Sequence, residues 1–181
     1  ERLRAGMWLL IREASAARNL EALIPLAREY GPHRIAFCTD DREPEHIADD
    51  GHINAMVRDA VAAGIPPEDA LVCATLNPAW WHGLSHLGAV APGYQADLLL
   101  LPDLERFLPE VVLKAGWPVA EIPRAEVPDW VKQTVRVGAL GPEMFRIPWN
   151  GAAKARVIGL VEGQIVTESL VEEPTVRAGE A

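Results

Sequence analysis

The sequence predicts an α/β fold that is followed by smaller β-rich segments. Two short apolar runs, 7–11 and 34–39, each end in charged residues, which is typical of buried parallel strands that reach a polar edge. Apolar residues at helical spacing lie between these runs and after them, so strands alternate with helices. Hairpin patterns dominate the chain after Leu84.

The first strand leads through a helix at 19–30 into the second strand at 34–39. Pro25 interrupts the apolar pattern of this helix and predicts a kink, and Gly31 followed by Pro32 ends it.

Three further helices are predicted after the second strand. Residues 53–61 place their apolar side chains on one face of an amphipathic helix that Gly64 closes. A second helix at 67–74 begins with proline, and a third is predicted to have Asn77 as its N-cap.

The β-rich part is predicted to contain one strand and two hairpins, with a proline-rich linker between the hairpins. Ala115-Gly116 and Glu162-Gly163 are the predicted turns. The strands are predicted at 96–101, 111–114, 117–119, 155–161 and 164–170, the linker at 121–129, and a polar tail at 172–181.

Two βα units cannot bury both faces of a parallel sheet on their own. We therefore expect the remaining strands to lie upstream or to come from another chain. Residues 1–6 resemble neither a signal peptide nor a typical protein start. The chain is accordingly expected to be a fragment.

Composition limits the partners and the compartment. The net charge is −9, and the 17 basic residues are scattered, so we expect neither a nucleic-acid partner nor a membrane partner. No apolar run reaches the roughly 18 residues that a membrane span requires. The two cysteines, Cys38 and Cys73, lie far apart, and we expect a cytoplasmic protein without disulfides.

Acidic residues follow the second predicted strand. Catalytic groups of α/β barrels lie at the carboxyl ends of strands, and Asp40 with Asp41 is placed there. Adjacent carboxylates on a strand end point in opposite directions, so one can face a site while the other supports the loop through Arg42. The alternative is a pair of solvated loop acids.

Two other residues are candidates for the same edge of the sheet. Glu13 follows the first strand, and His52 lies on the connection that carries Asp40. An exposed histidine at a helix start is the alternative for His52. The five histidines show no HxH or HExxH spacing, and Ser15 lacks the glycine pattern of a nucleophile elbow.

Several blocks of the sequence resemble adenine deaminases of the amidohydrolase superfamily. CTDDR at 38–42 and the IRE segment within 7–17 point to this family most specifically, and the other blocks are DGHI at 50–53, ATLNPA at 74–79, GAVAPGYQADL at 88–98, and segments 156–159 and 163–167. The resemblance implies that 1–84 holds the last βα units of a TIM-type (β/α)8 amidohydrolase barrel. It implies a β-sandwich segment at 85–120, and at 121–181 a linker and the start of the C-terminal adenine deaminase domain.

The same resemblance implies an activity, namely hydrolytic deamination of adenine to hypoxanthine and ammonia by metal-activated water. Asp40 matches the aspartate that ends the last barrel strand of the family, so it is expected to contact the metal and to shuttle the proton. Asp41, Glu13 and His52 are expected to contact the substrate or to support the catalytic residue. The resemblance further implies a divalent metal (manganese or iron, one or two ions) with most ligands outside this chain, and a homo-oligomer.

Three departures from the family pattern keep alternatives open. The paired metal histidines are absent from this sequence, Glu43 stands where the family commonly has histidine, and Ala14 where it commonly has glycine. One alternative is another amidohydrolase that acts on a cyclic amide or an aminated ring, for which Arg12, Glu13 and Arg42 would be the discriminating positions. The other is a non-catalytic assembly or interaction module.

Overall fold

The computed structural model describes residues 1–132, 134–148, 151 and 153–175. The chain divides into two compact units. The first comprises Glu1–Ile122 and Glu162–Ile165, and the second comprises Pro123–Val161 and Val166–Ala181. Among the described residues, no helix is both long and apolar enough to span a membrane.

The first unit begins with a β-α-β arrangement. Strand β1 (Leu9–Arg12) and strand β2 (Ile35–Cys38) flank helix α1 (Leu20–Tyr30). The two strands pair in parallel, with Leu9 opposite Ile35 and Arg12 opposite Cys38. The parallel pairing that the alternation of strand and helix predicted is therefore confirmed.

Four helices follow β2. They are α2 (Pro44–Asp49), α3 (Ile53–Ala62), α4 (Pro67–Ala74) and α5 (Leu76–Trp81). Helices α2 and α4 both begin with proline, whose missing N–H costs nothing in a first turn. Helix α2 is absent from the prediction.

The start of α5 corrects a prediction. Asn77 is not the N-cap, because the helix already begins at Leu76 and the Asn77 side chain is buried. Its Nδ2 donates hydrogen bonds to the carbonyl oxygens of Pro32 (2.6 Å) and Ile35 (2.7 Å). Asn77 thus joins α5 to the beginning of β2 through the two N–H donors of its side-chain amide.

The core of the first unit lies between the two-stranded sheet and the helices. Its side chains come from both strands and from α1, α3 and α4, so each helix buries its apolar face. Cys73 in α4 is almost fully buried, and this desolvation raises the pKa of its thiol to about 12. The largest fully buried side chains are Ile11, Ile35, Met56 and Cys73.

A small antiparallel sheet completes the first unit. It consists of β3 (Leu98–Leu100), β4 (Val111–Lys114) and β5 (Trp117–Pro118), in that order. The turn between β4 and β5 lies at Ala115-Gly116, as predicted. Both residues have positive φ, 50° at Ala115 and 84° at Gly116.

Asp97 holds this turn in place. Its carboxylate accepts hydrogen bonds from Lys114 Nζ (2.6 Å) and from the backbone N–H of Ala115 (2.8 Å). The bond from Lys114, with those from Ala115 and Gln95, lowers the pKa of Asp97 to about 2.

We expect Asp97→Asn to lower the melting temperature at pH 7, because the neutral amide loses the charge-assisted bond to Lys114. A carboxyl whose pKa is lowered on folding stabilises the protein above its ordinary value of 3.8, and this contribution disappears as the pH falls towards about 2. Thermal unfolding of both proteins between pH 7 and pH 2 measures the difference. Asp129→Asn is the control, since its side chain is 95% exposed. A melting-temperature difference that stays constant with pH would contradict the assignment.

The described part of the second unit contains one hairpin. Strands β6 (Ala155–Leu160) and β7 (Thr167–Glu172) pair antiparallel along their whole length, with Leu160 opposite Thr167. The prediction of a tight turn at Glu162-Gly163 is wrong, because β7 begins three residues later than 164 and the connection is longer. Residues 176–181 of the predicted polar tail lie outside the described residues.

Candidate active site at the carboxyl ends of the parallel strands

The parallel register brings two polar segments to one edge of the sheet. Arg12 and Cys38 end their strands opposite each other, and the N–H of Glu13 donates to the carbonyl oxygen of Cys38 at 3.0 Å. The residues that follow, Glu13 on one strand and Asp40 on the other, therefore leave the sheet at the same edge. This edge, with the loops 13–19 and 39–43, is called the strand-end site below.

Asp40 lies at the centre of the strand-end site. Its φ of 55° is left-handed, a conformation that aspartate tolerates better than most residues. Its carbonyl oxygen accepts a hydrogen bond from the N–H of Arg42, and Oδ2 accepts one from Arg12 Nη1 at 2.9 Å. The side chain of Asp40 is half exposed, so its carboxylate remains accessible to a ligand.

Ser15 connects the two loops of the site. Its N–H donates to the carbonyl oxygen of Asp41 (3.3 Å), and its Oγ accepts from the N–H of Glu43 (2.8 Å). The same Oγ lies 2.6 Å from His46 Nδ1. The sequence places Ser15 with Glu13 after the first strand, as a strand-end candidate and a poor nucleophile, but does not predict this contact. The contact depends on how the loops 13–19 and 39–43 meet, which local pattern does not specify.

Glu13 contacts the beginning of α1. Its Oε2 accepts a hydrogen bond from the N–H of Leu20 at 3.2 Å, and Oε1 lies 3.9 Å from Arg18 Nε. A carboxylate at this position satisfies an open N–H group of the helix and interacts favourably with its dipole. The structure therefore places Glu13 against the helix start, and its predicted contact with substrate stays a prediction.

His52 and Asp41 both contact residues of the strand-end site. His52 Nε2 is 3.0 Å from Oγ1 of Thr39, a buried residue directly before Asp40. Asp41 is exposed and accepts a hydrogen bond from the N–H of Ser15 with its backbone carbonyl oxygen. The roles of both residues in a reaction stay predictions.

The Arg42 side chain contacts Glu13 and Asp50. Its side chain is 7% exposed, and its Nη2 donates to Asp50 Oδ2 at 3.2 Å. Its Nη1 lies 3.5 Å from the carbonyl oxygen of Glu13, so the guanidinium bridges the two loops. Arg42 therefore contacts Asp50 and the Glu13 carbonyl, and the predicted support of the loop by a carboxylate of the Asp40-Asp41 pair through Arg42 stays a prediction.

Comparison with known proteins decides the family. The profile of the Amidohydrolase family matches residues 8–140, which is most of the chain. The chain belongs to the amidohydrolase family. Membership implies the TIM-barrel superfamily, with which the mixed strands and helices of the first unit agree.

Curated relatives of this amidohydrolase chain are adenine deaminases, so the predicted resemblance is confirmed. Adenine deaminase 2 of Carboxydothermus hydrogenoformans is 43% identical over 99% of this chain and 32% of its own length. Adenine deaminase of Methanoregula boonei is 43% identical over 94% of this chain and 30% of its own. That of Brucella abortus is 39% identical over 94% and 30%. The chain spans about a third of the length of the curated relatives that it matches.

The resemblance described under Sequence analysis implies a divalent metal with most of its ligands outside this chain. In the part of this chain that the structure describes, no three His, Cys, Asp or Glu side chains come together as a metal site. Asp40 fits one position of such a site, because it is an accessible carboxylate at a strand end and its two oxygens offer more lone pairs than the single bond from Arg12 uses. The described residues therefore do not bring a complete set of metal ligands together.

Burial and two neighbouring charges affect the pKa of the Cys38 thiol. Partial burial raises the pKa of its thiol, the Asp40 carboxylate raises it further, and the Arg12 guanidinium lowers it. Its Sγ also lies 3.6 Å from the carbonyl oxygen of Ile11. A thiol whose pKa is raised in this way is a poor nucleophile near neutral pH.

Proposed function

We propose that the complete protein containing this chain catalyses hydrolytic deamination of adenine to hypoxanthine and ammonia. The observation that carries the proposal is the accessible carboxylate of Asp40 at the carboxyl end of a parallel strand, within a chain that is 43% identical to an adenine deaminase over 99% of its length. Catalytic groups of TIM-barrel enzymes lie at this end of the strands.

The proposal assigns parts of the chain to parts of an enzyme. Residues 1–84 would supply the last βα units of a TIM-type (β/α)8 barrel, and 85–120 a β-sandwich segment. Residues 121–181 would form a linker and the start of a C-terminal domain. The parallel pair of strands supports the first assignment, because a parallel sheet requires further strands and helices to cover both of its faces.

Asp40 would be one ligand of a divalent metal, manganese or iron. Most of the other ligands would lie outside this chain. A bound divalent metal of this kind lowers the pKa of a coordinated water towards neutrality, which supplies hydroxide at physiological pH.

Asp40 would transfer the proton during the reaction. Replacement of the amine on the purine ring needs a group that takes a proton from the attacking water and returns it to the departing nitrogen. A carboxylate oxygen of Asp40 can do both, since the side chain is half exposed and anchored beside Arg12. Asp41, Glu13 and His52 would orient the purine or support the loop around Asp40.

Partner and compartment follow from the same reasoning. The substrate would be a small purine base, and the protein would act in adenine catabolism in the cytoplasm as a homo-oligomer. The net charge of −9 argues against nucleic-acid and anionic-membrane partners, which require clustered basic residues.

A substrate panel tests the proposal. The complete protein, loaded with manganese or with iron, is incubated with adenine, guanine, cytosine and dihydroorotate while ammonia release and ring absorbance are followed. We expect ammonia and hypoxanthine from adenine alone. Ring opening of dihydroorotate without ammonia from adenine would indicate a different amidohydrolase. Inactivity on the whole panel would favour a non-catalytic module.

A further inference from the structure

Arg12 forms an ion pair with Asp40 at the strand-end site. We propose that Arg12 is a positioning residue: its guanidinium holds Oδ2 of Asp40 and so leaves Oδ1 as the oxygen that exchanges the proton. This inference rests on the proposed deaminase function. It concerns the direction in which the carboxylate points, which the assignment of Asp40 alone leaves open.

The backbone of Arg12 is fixed on both sides. Its N–H donates to Asn19 Oδ1 at 2.7 Å, and its carbonyl oxygen accepts from the N–H of Asn19 at 2.9 Å. The ladder to β2 ends beside it, with Arg12 opposite Cys38. The guanidinium therefore extends from a rigid base, as a positioning group must.

The Asp40 carboxylate has little else to orient it. Its side chain is 51% exposed, and among the residues that the structure describes only Arg12 donates a hydrogen bond to it, at 2.9 Å. Without that bond, the carboxylate could rotate about χ1 and χ2 among several conformers. The contact with Arg12 is thus what selects one of them.

The contact uses a single N–H of the guanidinium. Nη1 meets Oδ2, and Nε of Arg12 is buried without a hydrogen-bond partner among the described residues. A bidentate pair would engage both carboxylate oxygens, whereas this arrangement leaves Oδ1 free. The geometry therefore separates the two oxygens into one that is anchored and one that is available.

A merely structural ion pair would behave differently. Arg12 and Asp40 are 27% and 51% exposed, and pairs as accessible as this contribute little to folding stability. Misplacing a group that reacts with substrate costs about 100-fold in rate. Loss of Arg12 should accordingly affect turnover far more than folding.

The experiment uses the complete metal-loaded protein with Arg12→Gln, Arg12→Lys and a matched control, Arg106→Gln. The control removes the guanidinium of another ion pair, Arg106 with Asp103 at 2.8 Å. We expect Arg12→Gln to lower kcat for adenine about 100-fold. Its KM, its urea midpoint and its metal content should match those of the unchanged protein. Arg12→Lys should recover part of the loss, because it keeps the charge but not the planar donor, and Arg106→Gln should be indistinguishable from the unchanged protein.

Two further measurements show whether Arg12 acts through Asp40. The double variant Arg12→Gln/Asp40→Asn should be no slower than Asp40→Asn alone, since residues that act as a unit are not additive. Millimolar guanidinium should restore part of the activity of Arg12→Ala.

Each contrary result has a distinct meaning. A normal kcat in Arg12→Gln, a change confined to KM, loss of metal, or additive losses in the double variant would overturn the inference while the deaminase function stands. An unchanged protein that releases no ammonia from adenine would overturn both.

Discussion

Asp40→Asn is expected to abolish most adenine deamination while leaving the fold intact. The amide is nearly the same size as the carboxylate but cannot accept the proton of the attacking water. Loss of a general acid–base group lowers the rate by about 100- to 10,000-fold. Because Asp40 is half exposed and lies outside the hydrophobic core, the urea midpoint should change little. Ammonia release by the complete metal-loaded protein measures the first effect, and urea denaturation measures the second.

Asp49→Asn provides the matched control. Asp49 is an exposed aspartate at the end of α2, so its substitution makes the same chemical change away from Asp40. Full activity is expected in that variant. Normal turnover in Asp40→Asn would show that the proton travels through another group, and the assignment of Asp40 would fail.

Asn77→Asp is expected to destabilise the first unit strongly. The Asn77 amide nitrogen donates to the carbonyl oxygens of Pro32 and Ile35, and the side chain is 3% exposed. A carboxylate at this position removes both donated bonds and adds a buried charge against the two carbonyl oxygens. The Pro32 carbonyl keeps the N–H of Ile35 as a donor at 3.1 Å, whereas the Ile35 carbonyl loses the donor described here. A buried unsatisfied group costs about 1–3 kcal/mol and a buried charged group costs more, so we expect a loss of about 3 kcal/mol. Urea denaturation at pH 7 measures it.

Asn54→Asp is the control for this prediction. Asn54 uses its side-chain oxygen to accept the N–H of His52 at 2.9 Å, and a carboxylate can accept the same bond. Its stability should therefore stay close to that of the unchanged protein. If Asn77→Asp were as stable as Asn54→Asp, the described orientation of the Asn77 amide would be wrong.

The strands and the location of the site were predictable from local pattern. A short apolar run that ends in charge, as at Ile11-Arg12-Glu13, can be buried only up to the point where its polar residues emerge. Parallel pairing then follows from the intervening helix. Together, the two patterns predict that Glu13 and Asp40 lie at one edge of the sheet.

The contacts within the site were not predictable in the same way. The pairing of Arg12 with Asp40 joins residues 28 positions apart and depends on the register of two strands, which apolar runs do not specify. Helix α2 was missed because it buries no residue and so carries no periodic signal. Asn77 was misjudged because an asparagine before a proline has the local pattern of a cap, and only tertiary packing reveals the two carbonyls it serves.

The hydrogen bonds of Ser15 have a mechanical consequence. They join the loop after β1 to the backbone of Asp41 and Glu43 and to the ring of His46. A ligand that displaces one loop must then displace the other or break these bonds. The two loops are consequently coupled beside Asp40 through one serine hydroxyl and the N–H of the same residue.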